Sequence, residues 1–538
     1  MTRHLDDLIQ ALSDPVVYPH CPESVHVIQT HISVIFIAGE MVYKVKKPLN
    51  LGFLDFTTLE KRRHYCNQEV KLNSRFSENI YLRVVSICED DSGVNLQGRG
   101  LEIDAAVLMR RIPEDRIMIS LLEKDQVTPE ILDKLADRLA YFHSQADTGP
   151  EITSFGSTEV IYQNLKENFE QTLPYLNRTI DQMTHKAIAT LAYDFLRTHE
   201  SLINQRMRQG FVRDCHGDLH LDHVVILNGI ILYDCIEFND RFRYGDTAAD
   251  LGFLLMDLDF RGYPAFAKRI AQRYAESSTD WQILKLLGFY KAYRAFVRAK
   301  VMSFILDEPE IDPFEKASSV EAARNYFDLS LACLLPSPPP VLVITSGMMG
   351  TGKSYLAARL GKRLGVEPLR SDMVRKQIQG MHPLKHQLDN YGAGIYTPTS
   401  TELTYTALLE KARQALEDGE SVIIDASFMR FRHRMQARET ARRENARFRI
   451  IECRAPDYVI RQRLEKRMQD RGEPSDGRWE IFQEQKAELQ TIRGQELDDC
   501  QLWNSTEELD SFLTSLVREL TFSWKGSSFP SPKVCRNL

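Results

Sequence analysis

The run Gly347-Met348-Met349-Gly350-Thr351-Gly352-Lys353-Ser354 lies between an apolar stretch, Val341-Leu342-Val343-Ile344, and a helix-forming segment, Tyr355-Leu356-Ala357-Ala358-Arg359-Leu360. A strand that hands a glycine-rich turn to a helix N-terminus aims backbone N–H groups at phosphate oxygens, so this run reads as a P-loop. In such a loop Lys353 reaches the outer phosphates of ATP and Ser354 holds Mg²⁺. A second constellation is His216-Gly217-Asp218-Leu219-His220, with Asp234 sixteen residues beyond Asp218. Phosphoryl transfer needs a group that orients or deprotonates the acceptor hydroxyl and another that binds metal. Asp218, in a turn, fits the first role. Asp234, at the end of the apolar run Gly229-Ile230-Ile231-Leu232-Tyr233, fits the second.

Two further carboxylates accompany the P-loop. Asp372, in Leu369-Arg370-Ser371-Asp372-Met373-Val374-Arg375, falls where a second strand should end near the γ-phosphate. It is placed to accept the acceptor's proton, and Arg375, one helical turn on, to hold an acceptor phosphate or hydroxyl. Asp425 closes the strand-like Val422-Ile423-Ile424 and is the expected metal or metal-water ligand. Arg461, Arg463, Arg467 and Arg471 recur at near-helical spacing, as in a lid that brings cations to the transferred group. Arg463 and Arg467 are the lid candidates, although the interleaved Glu465 and Asp470 also suit a solvated helix face.

The elements that must position these residues divide the chain. Pro336-Ser337-Pro338-Pro339-Pro340 is a short stiff connector. Before it, Ile32 to Ile37, a turn at Ala38-Gly39-Glu40 and Met41 to Lys46 read as a hairpin, within a β-rich small lobe over about 25–110. Helical spacing dominates 111–335. After the connector, strands alternate with helices over 341–522, which implies a parallel sheet covered on both faces. Residues 523–538 read as a tail. The expected fold is therefore two domains of α/β and α+β type: a bilobal first half (1–335) and a P-loop domain with a parallel sheet.

Bulk composition narrows the function. At 538 residues the chain exceeds a single core. With 43% hydrophobic and 27% charged residues it is globular in character, and its net charge of -7 gives no global pull toward nucleic acid or acidic membranes. No apolar stretch reaches the roughly 20 residues that span a bilayer, and the first residues do not resemble a secretory signal, so a cytoplasmic location is expected. The nine cysteines are scattered singly with no C-x-x-C pair, which argues against structural zinc and disulfides.

The first half resembles the aminoglycoside phosphotransferase and choline kinase-like family. The resemblance is carried by the H-G-D-L-H run together with Thr30-His31-Ile32-Ser33, Tyr43-Lys44-Val45-Lys46-Lys47-Pro48, Gly52-Phe53-Leu54-Asp55-Phe56 and Asp234-Cys235-Ile236-Glu237-Phe238-Asn239. It implies a protein kinase-like bilobal fold in which Lys44 is the nucleotide lysine and Glu69 its helix partner, with Lys46 as the alternative lysine. It also exposes a departure: five residues after Asp218, where the family usually carries a metal-binding asparagine, stands His223. Imidazole suits Mg²⁺ less well than oxygen does, so the second metal position is expected to be altered or absent.

The second half resembles the small P-loop kinases grouped with gluconate kinase, zeta toxin and the 5′-hydroxyl polynucleotide kinases, through Ser371 to Arg375 and through Asp425-Ala426-Ser427-Phe428 followed by Arg434. Between Arg430 and Arg449 lie eight arginines, spaced to suit either a phosphate backbone or, preferably, a solvated amphipathic helix. The expected activity is transfer of the γ-phosphoryl group of ATP to a small-molecule hydroxyl at one or both sites, with Mg²⁺. The rival is a polynucleotide 5′-hydroxyl kinase fused to a pseudokinase-like sensor; nucleic acid is the less favoured partner. Oligomeric state and acceptor are not written in these motifs.

Overall fold

A computed structural model describes residues 5–309, 311–381, 394–467 and 479–522. The chain divides into two compact units, one of residues 1–258 and 267–334, the other of residues 259–266 and 335–538.

In the first unit six antiparallel strands form a sheet in the order β1-β2-β3-β6-β4-β5. They are β1 (Val25–Gln29), β2 (Ser33–Ala38), β3 (Met41–Lys46), β4 (Tyr81–Asp90), β5 (Gly93–Asn95) and β6 (Leu101–Arg110). The β2–β3 hairpin turns at Gly39, whose φ of +62° lies in the left-handed region that glycine enters without a Cβ penalty. Side chains alternate along β3. Tyr43 and Val45 enter one core with Val34 and Phe36, while Val42 packs on the other face with Cys66 and Val70 of helix Leu59–Asn73. Lys44 and Lys46 share that second face. The short helix Leu5–Leu12, which has no counterpart in the sequence reading, buries Leu8 and Leu12 in the first of these cores.

Beyond the sheet the unit is mainly helical, with Pro129–Gln145, Thr158–Thr172, Gln182–Arg208, Thr247–Phe260, Leu287–Phe304 and Pro313–Leu334. Two small ribbons interrupt the helices: β7 (Val212–Asp214) pairs with β10 (Tyr244–Asp246), and β8 (Val224–Ile226) with β9 (Ile230–Leu232). The segment from Cys215 to His223 runs between β7 and β8, and Asp234 follows β9.

The second unit carries a five-stranded parallel sheet in the order β12-β13-β11-β14-β15. The strands are β11 (Val341–Ser346), β12 (Leu369–Arg370), β13 (Val422–Asp425), β14 (Arg447–Arg454) and β15 (Cys500–Asn504). All six residues of β11 are buried, as expected of a central strand covered on both faces. One face packs Leu342, Ile344, Ile424 and Ile450 against Leu408 and Ala437; the other packs Val341, Val343 and Ile451 against Leu356, Leu360 and Leu516. Among the described residues no helix is long and apolar enough to cross a membrane.

Candidate active sites

In the first unit Lys44, Glu69, Asp218, His223 and Asp234 converge. Lys44 Nζ meets Glu69 Oε1 at 2.8 Å and also binds Asp234 Oδ1. Asp234 Oδ2 lies 3.6 Å from His223 Nε2, and His223 Nδ1 donates to the Asp218 backbone oxygen at 2.8 Å. His220 Nε2 stands 3.6 Å from Asp218 Oδ2, and His220 Nδ1 stands 3.2 Å from Asp222 Oδ2. The imidazoles of His220 and His223 pack with ring centres 3.9 Å apart.

Electrostatics follows from this crowding. Burial alone would raise the Asp218 carboxyl, but the hydrogen bond from His220 and the neighbouring imidazoles outweigh it and hold the group well below the usual carboxylate range. Burial opposes charge on His220 too, yet Asp218 and Asp222 lift its pKa to about 9. His216, buried without compensation of that size, falls to about 4. Asp234 likewise stays ionised, because Lys44 and His223 overcome its desolvation.

The alternative lysine is also engaged. Lys46, 1% exposed, binds Glu69 Oε2 at 2.7 Å and also Glu237. Glu69 thus receives one lysine on each oxygen, and only Lys44 also reaches Asp234.

Several positioning residues escaped the sequence reading. Asp250, 1% exposed, accepts the backbone N–H groups of His216 and Gly217 at 2.8 Å each, and so fixes the turn that carries Asp218. Asp257 accepts from the Leu221 amide at 3.0 Å. Asn73 holds the Cys235 amide at 2.9 Å, and the Tyr81 hydroxyl holds that of Asp234 at 3.1 Å. Asp234 adopts φ +61°, a left-handed conformation rare outside glycine, asparagine and aspartate.

In the second unit Gly347, Gly350 and Gly352 take φ of +139°, +76° and +97°. A Cβ on Gly347 would stand 2.4 Å from the Cys453 carbonyl oxygen, so the strand-to-loop turn requires glycine. Met348, Met349 and Thr351 complete the turn, with Thr351 Oγ1 donating to the Met348 carbonyl at 2.8 Å. Lys353 and Ser354 open helix Lys353–Leu364, and Lys353 Nζ donates to the Met348 oxygen at 2.7 Å. Asp425 ends β13 in register with Arg370 of β12, and Arg370 Nε stands 3.6 Å from Asp425 Oδ2. Asp372 and Arg375 sit one turn apart on helix Ser371–Ile378, 3.4 Å between Nη1 and Oδ1. All these residues lie at the carboxyl edge of the parallel sheet, where such sheets bind ligands.

The lid candidates sit differently from one another. Arg463, on helix Asp457–Arg467, donates to the Gly350 carbonyl at 3.2 Å and to the Ser505 hydroxyl and carbonyl at 2.7 and 3.1 Å. Its guanidinium therefore buttresses the P-loop. Arg467 ends that helix, and Arg471 lies outside the described residues. In the arginine-rich stretch, Arg434 is fully buried and bound to Glu496 at 2.6 Å, while Arg430, Arg432, Arg438, Arg442, Arg443 and Arg449 pair with carboxylates and Arg447 with carbonyl oxygens.

Residues 63–287 match the phosphotransferase enzyme family, and residues 342–492 match the AAA domain family. An uncharacterised protein of Mycobacterium tuberculosis is 29% identical over 439 residues, covering 81% of this chain and 85% of its own. Among solved structures, a choline/ethanolamine kinase family protein from Mesorhizobium loti covers 61% of this chain and 98% of its own at 13% identity and a TM-score of 0.38. A gluconokinase from Sinorhizobium meliloti covers 34% of this chain and 91% of its own at 18% identity and a TM-score of 0.25. The chain thus joins a domain of the phosphotransferase enzyme family to a P-loop, kinase-like domain of the AAA type. It is a kinase, and it binds nucleotide.

Proposed function

We propose that the chain transfers the γ-phosphoryl group of ATP to the hydroxyl of a small molecule, with one ATP site in each unit. The observation that carries this reading is the continuous contact path from Lys44 through Asp234 and His223 to Asp218, which supports reading them together as phosphate-side cation, metal-side carboxylate and acceptor-side carboxylate. Lys44, steadied by Glu69, would meet the nucleotide phosphates. Asp218 would orient the acceptor hydroxyl and take its proton as the acceptor oxygen bonds to the γ-phosphorus; the bond to the β–γ bridging oxygen breaks and its electron pair leaves with ADP. In the second unit Lys353 and the loop amides would hold the phosphates, Asp372 would face the acceptor, and Arg375 would bind it.

Mg²⁺ supplies charge neutralisation on the phosphates when bound. The oxygen donors Ser354 and Asp425 suit it, as does Asp234. The His223 imidazole is a poorer match and points to a second metal position of altered preference. With all eight arginines of the 430–449 stretch already holding protein acceptors, nothing favours a nucleic-acid backbone as substrate there.

The test is labelled phosphate transfer from ATP to a panel of sugars, hydroxy acids, aminoglycosides and 5′-hydroxyl oligonucleotides by wild type, Asp218→Asn and Asp372→Asn. A product lost in one variant assigns the activity to that site; products unaffected by both substitutions overturn the reading.

A further inference from the structure

We infer that the acceptor of the first unit is an anion, a hydroxy acid or phosphorylated alcohol whose negative group is held by Arg294. The inference rests on the reading of Asp218 as the acceptor-side carboxylate and goes beyond it to the class of substrate.

A cavity of about 80 Å³, open to solvent, reaches from Gly217, next to Asp218, to Tyr293 and Arg294 of helix Leu287–Phe304. Its charges are nearly all spent. Asp246 is held by both Nε and Nη2 of Arg206 at 2.8 Å, and Asp250 is committed to the His216 and Gly217 amides and to His143. Arg241 is neutralised by Glu167 at 2.6 Å, and Arg243 by Asp214 and Asp240, also at 2.6 Å. Arg294 is the exception. Its hydrogen bond is a long one, 3.4 Å to the Ala249 carbonyl, and its guanidinium otherwise rests over the rings of Phe253 and Tyr293, 4.9 and 5.9 Å from their centres. No carboxylate among the described residues lies within ion-pair distance of it.

An aromatic bridge ties this cation to the Asp218 turn. Phe253, which carries Arg294, also packs on His220 with ring centres 5.6 Å apart, and His220 pairs with Asp218. Four residues on, Arg298 faces the same way. Its neighbour is the Tyr326 ring and hydroxyl, and the Asp218 and Asp257 charges reach it only through space. Arg294, which lines the cavity and is not spent on a carboxylate, suits a carboxylate or phosphate, and Arg298 one turn on adds positive charge to the same helix face. A cationic acceptor would meet the opposite: no uncommitted carboxylate in the cavity, and a fixed positive charge against the aromatic wall that would otherwise attract it.

The experiment uses the full chain with the P-loop site silenced by Lys353→Ala. Acceptor-stimulated ADP release is measured with D-glycerate, gluconate, glucose 6-phosphate, glucose, choline and kanamycin. Stimulation confined to the anions, with KM raised about 10- to 100-fold by Arg294→Gln and partly restored by Arg294→Lys, supports the inference. Stimulation by choline or kanamycin, or indifference to Arg294→Gln, overturns it. Should no acceptor turn over, the proposed function of this site fails, and the inference is judged separately by thermal-shift titration with the same anions. Binding that survives Asp218→Asn and is lost in Arg294→Gln upholds the anion site; no binding to the wild type refutes it.

Discussion

Lys46 Nζ lies 2.7 Å from Glu69 Oε2, with both side chains sealed from solvent, while the other oxygen of the same carboxylate serves Lys44. One glutamate therefore separates two lysines of one strand face into a catalytic candidate and a strut. Lys44→Met should abolish Asp218-dependent transfer with little loss of stability. Lys46→Met should instead leave Glu237 buried against Glu69 and destabilise the first unit by about 3–5 kcal/mol, the usual cost of orphaning a buried ion-pair partner. Transfer assays paired with urea unfolding check the division, and the reverse pattern would interchange the two lysines.

The P-loop conformation makes a sharper expectation. At Gly352, φ is +97° and a Cβ would come 3.1 Å from the Trp503 ring. Gly352→Ala should weaken ATP binding in the second unit by at least about tenfold, and Lys353→Ala should remove it, as read by calorimetric titration.

His223→Asn changes the donor beside Asp234 from imidazole nitrogen to amide oxygen. With Asp218-dependent transfer as readout, the wild type should prefer Mn²⁺ to Mg²⁺, and the variant should shift toward Mg²⁺. Binding of Mn²⁺ followed by electron paramagnetic resonance, independently of turnover, should show a nitrogen ligand only in the wild type.

Lys300 provides a pH test away from the metal site. Its ammonium bonds Asn168 Oδ1 at 2.6 Å and Gln171 Oε1 at 2.8 Å, but burial lowers its pKa to about 8, against the pull of Glu167. Between about pH 8 and the ordinary lysine value near 10.5 the unfolded chain holds the proton that the folded chain has released, so this group's contribution to stability rises with pH in that window and falls as pH drops through 8. Lys300→Met should gain most over wild type below pH 8 and lose that advantage by about pH 10.5, seen as converging urea midpoints of the first unit.

Arg434, 0% exposed, and Glu496, 2% exposed, make the strongest case for a structural arginine. Arg434→Met should destabilise the second unit by about 3–5 kcal/mol because Glu496 is left buried and unpaired, and the double variant Arg434→Met/Glu496→Leu should recover much of the loss. An unchanged denaturation midpoint in the single variant would return Arg434 to the candidates for ligand binding.

What the sequence made legible was whatever local backbone chemistry demands. Three glycines in one turn after an apolar strand have few other uses, and the alternation of strands and helices beyond residue 340 leaves few sheets but a parallel one. Choices between equivalents were illegible. Lys44 and Lys46 lie on one face of β3, and only the third dimension says which of them also reaches Asp234. Asp250 gave no signal because its partners are backbone amides more than thirty residues earlier. Arg434 looked like its exposed neighbours because the glutamate that buries with it comes 62 residues later.

The left-handed backbone of Asp234 bears on how this kinase could lose its activity over evolutionary time. Asparagine and glycine tolerate φ +61°, whereas alanine or a β-branched residue adds about 1 kcal/mol or more of backbone strain to the loss of charge. A descendant that kept the fold while abandoning chemistry would pass through asparagine at this position, one nucleotide away from aspartate, and retain the Tyr81 contact to its amide. On the metal-side role proposed for Asp234, the route from enzyme to binding protein is therefore short in backbone terms, and the identity of residue 234 in relatives becomes a position to compare with their ability to transfer phosphate.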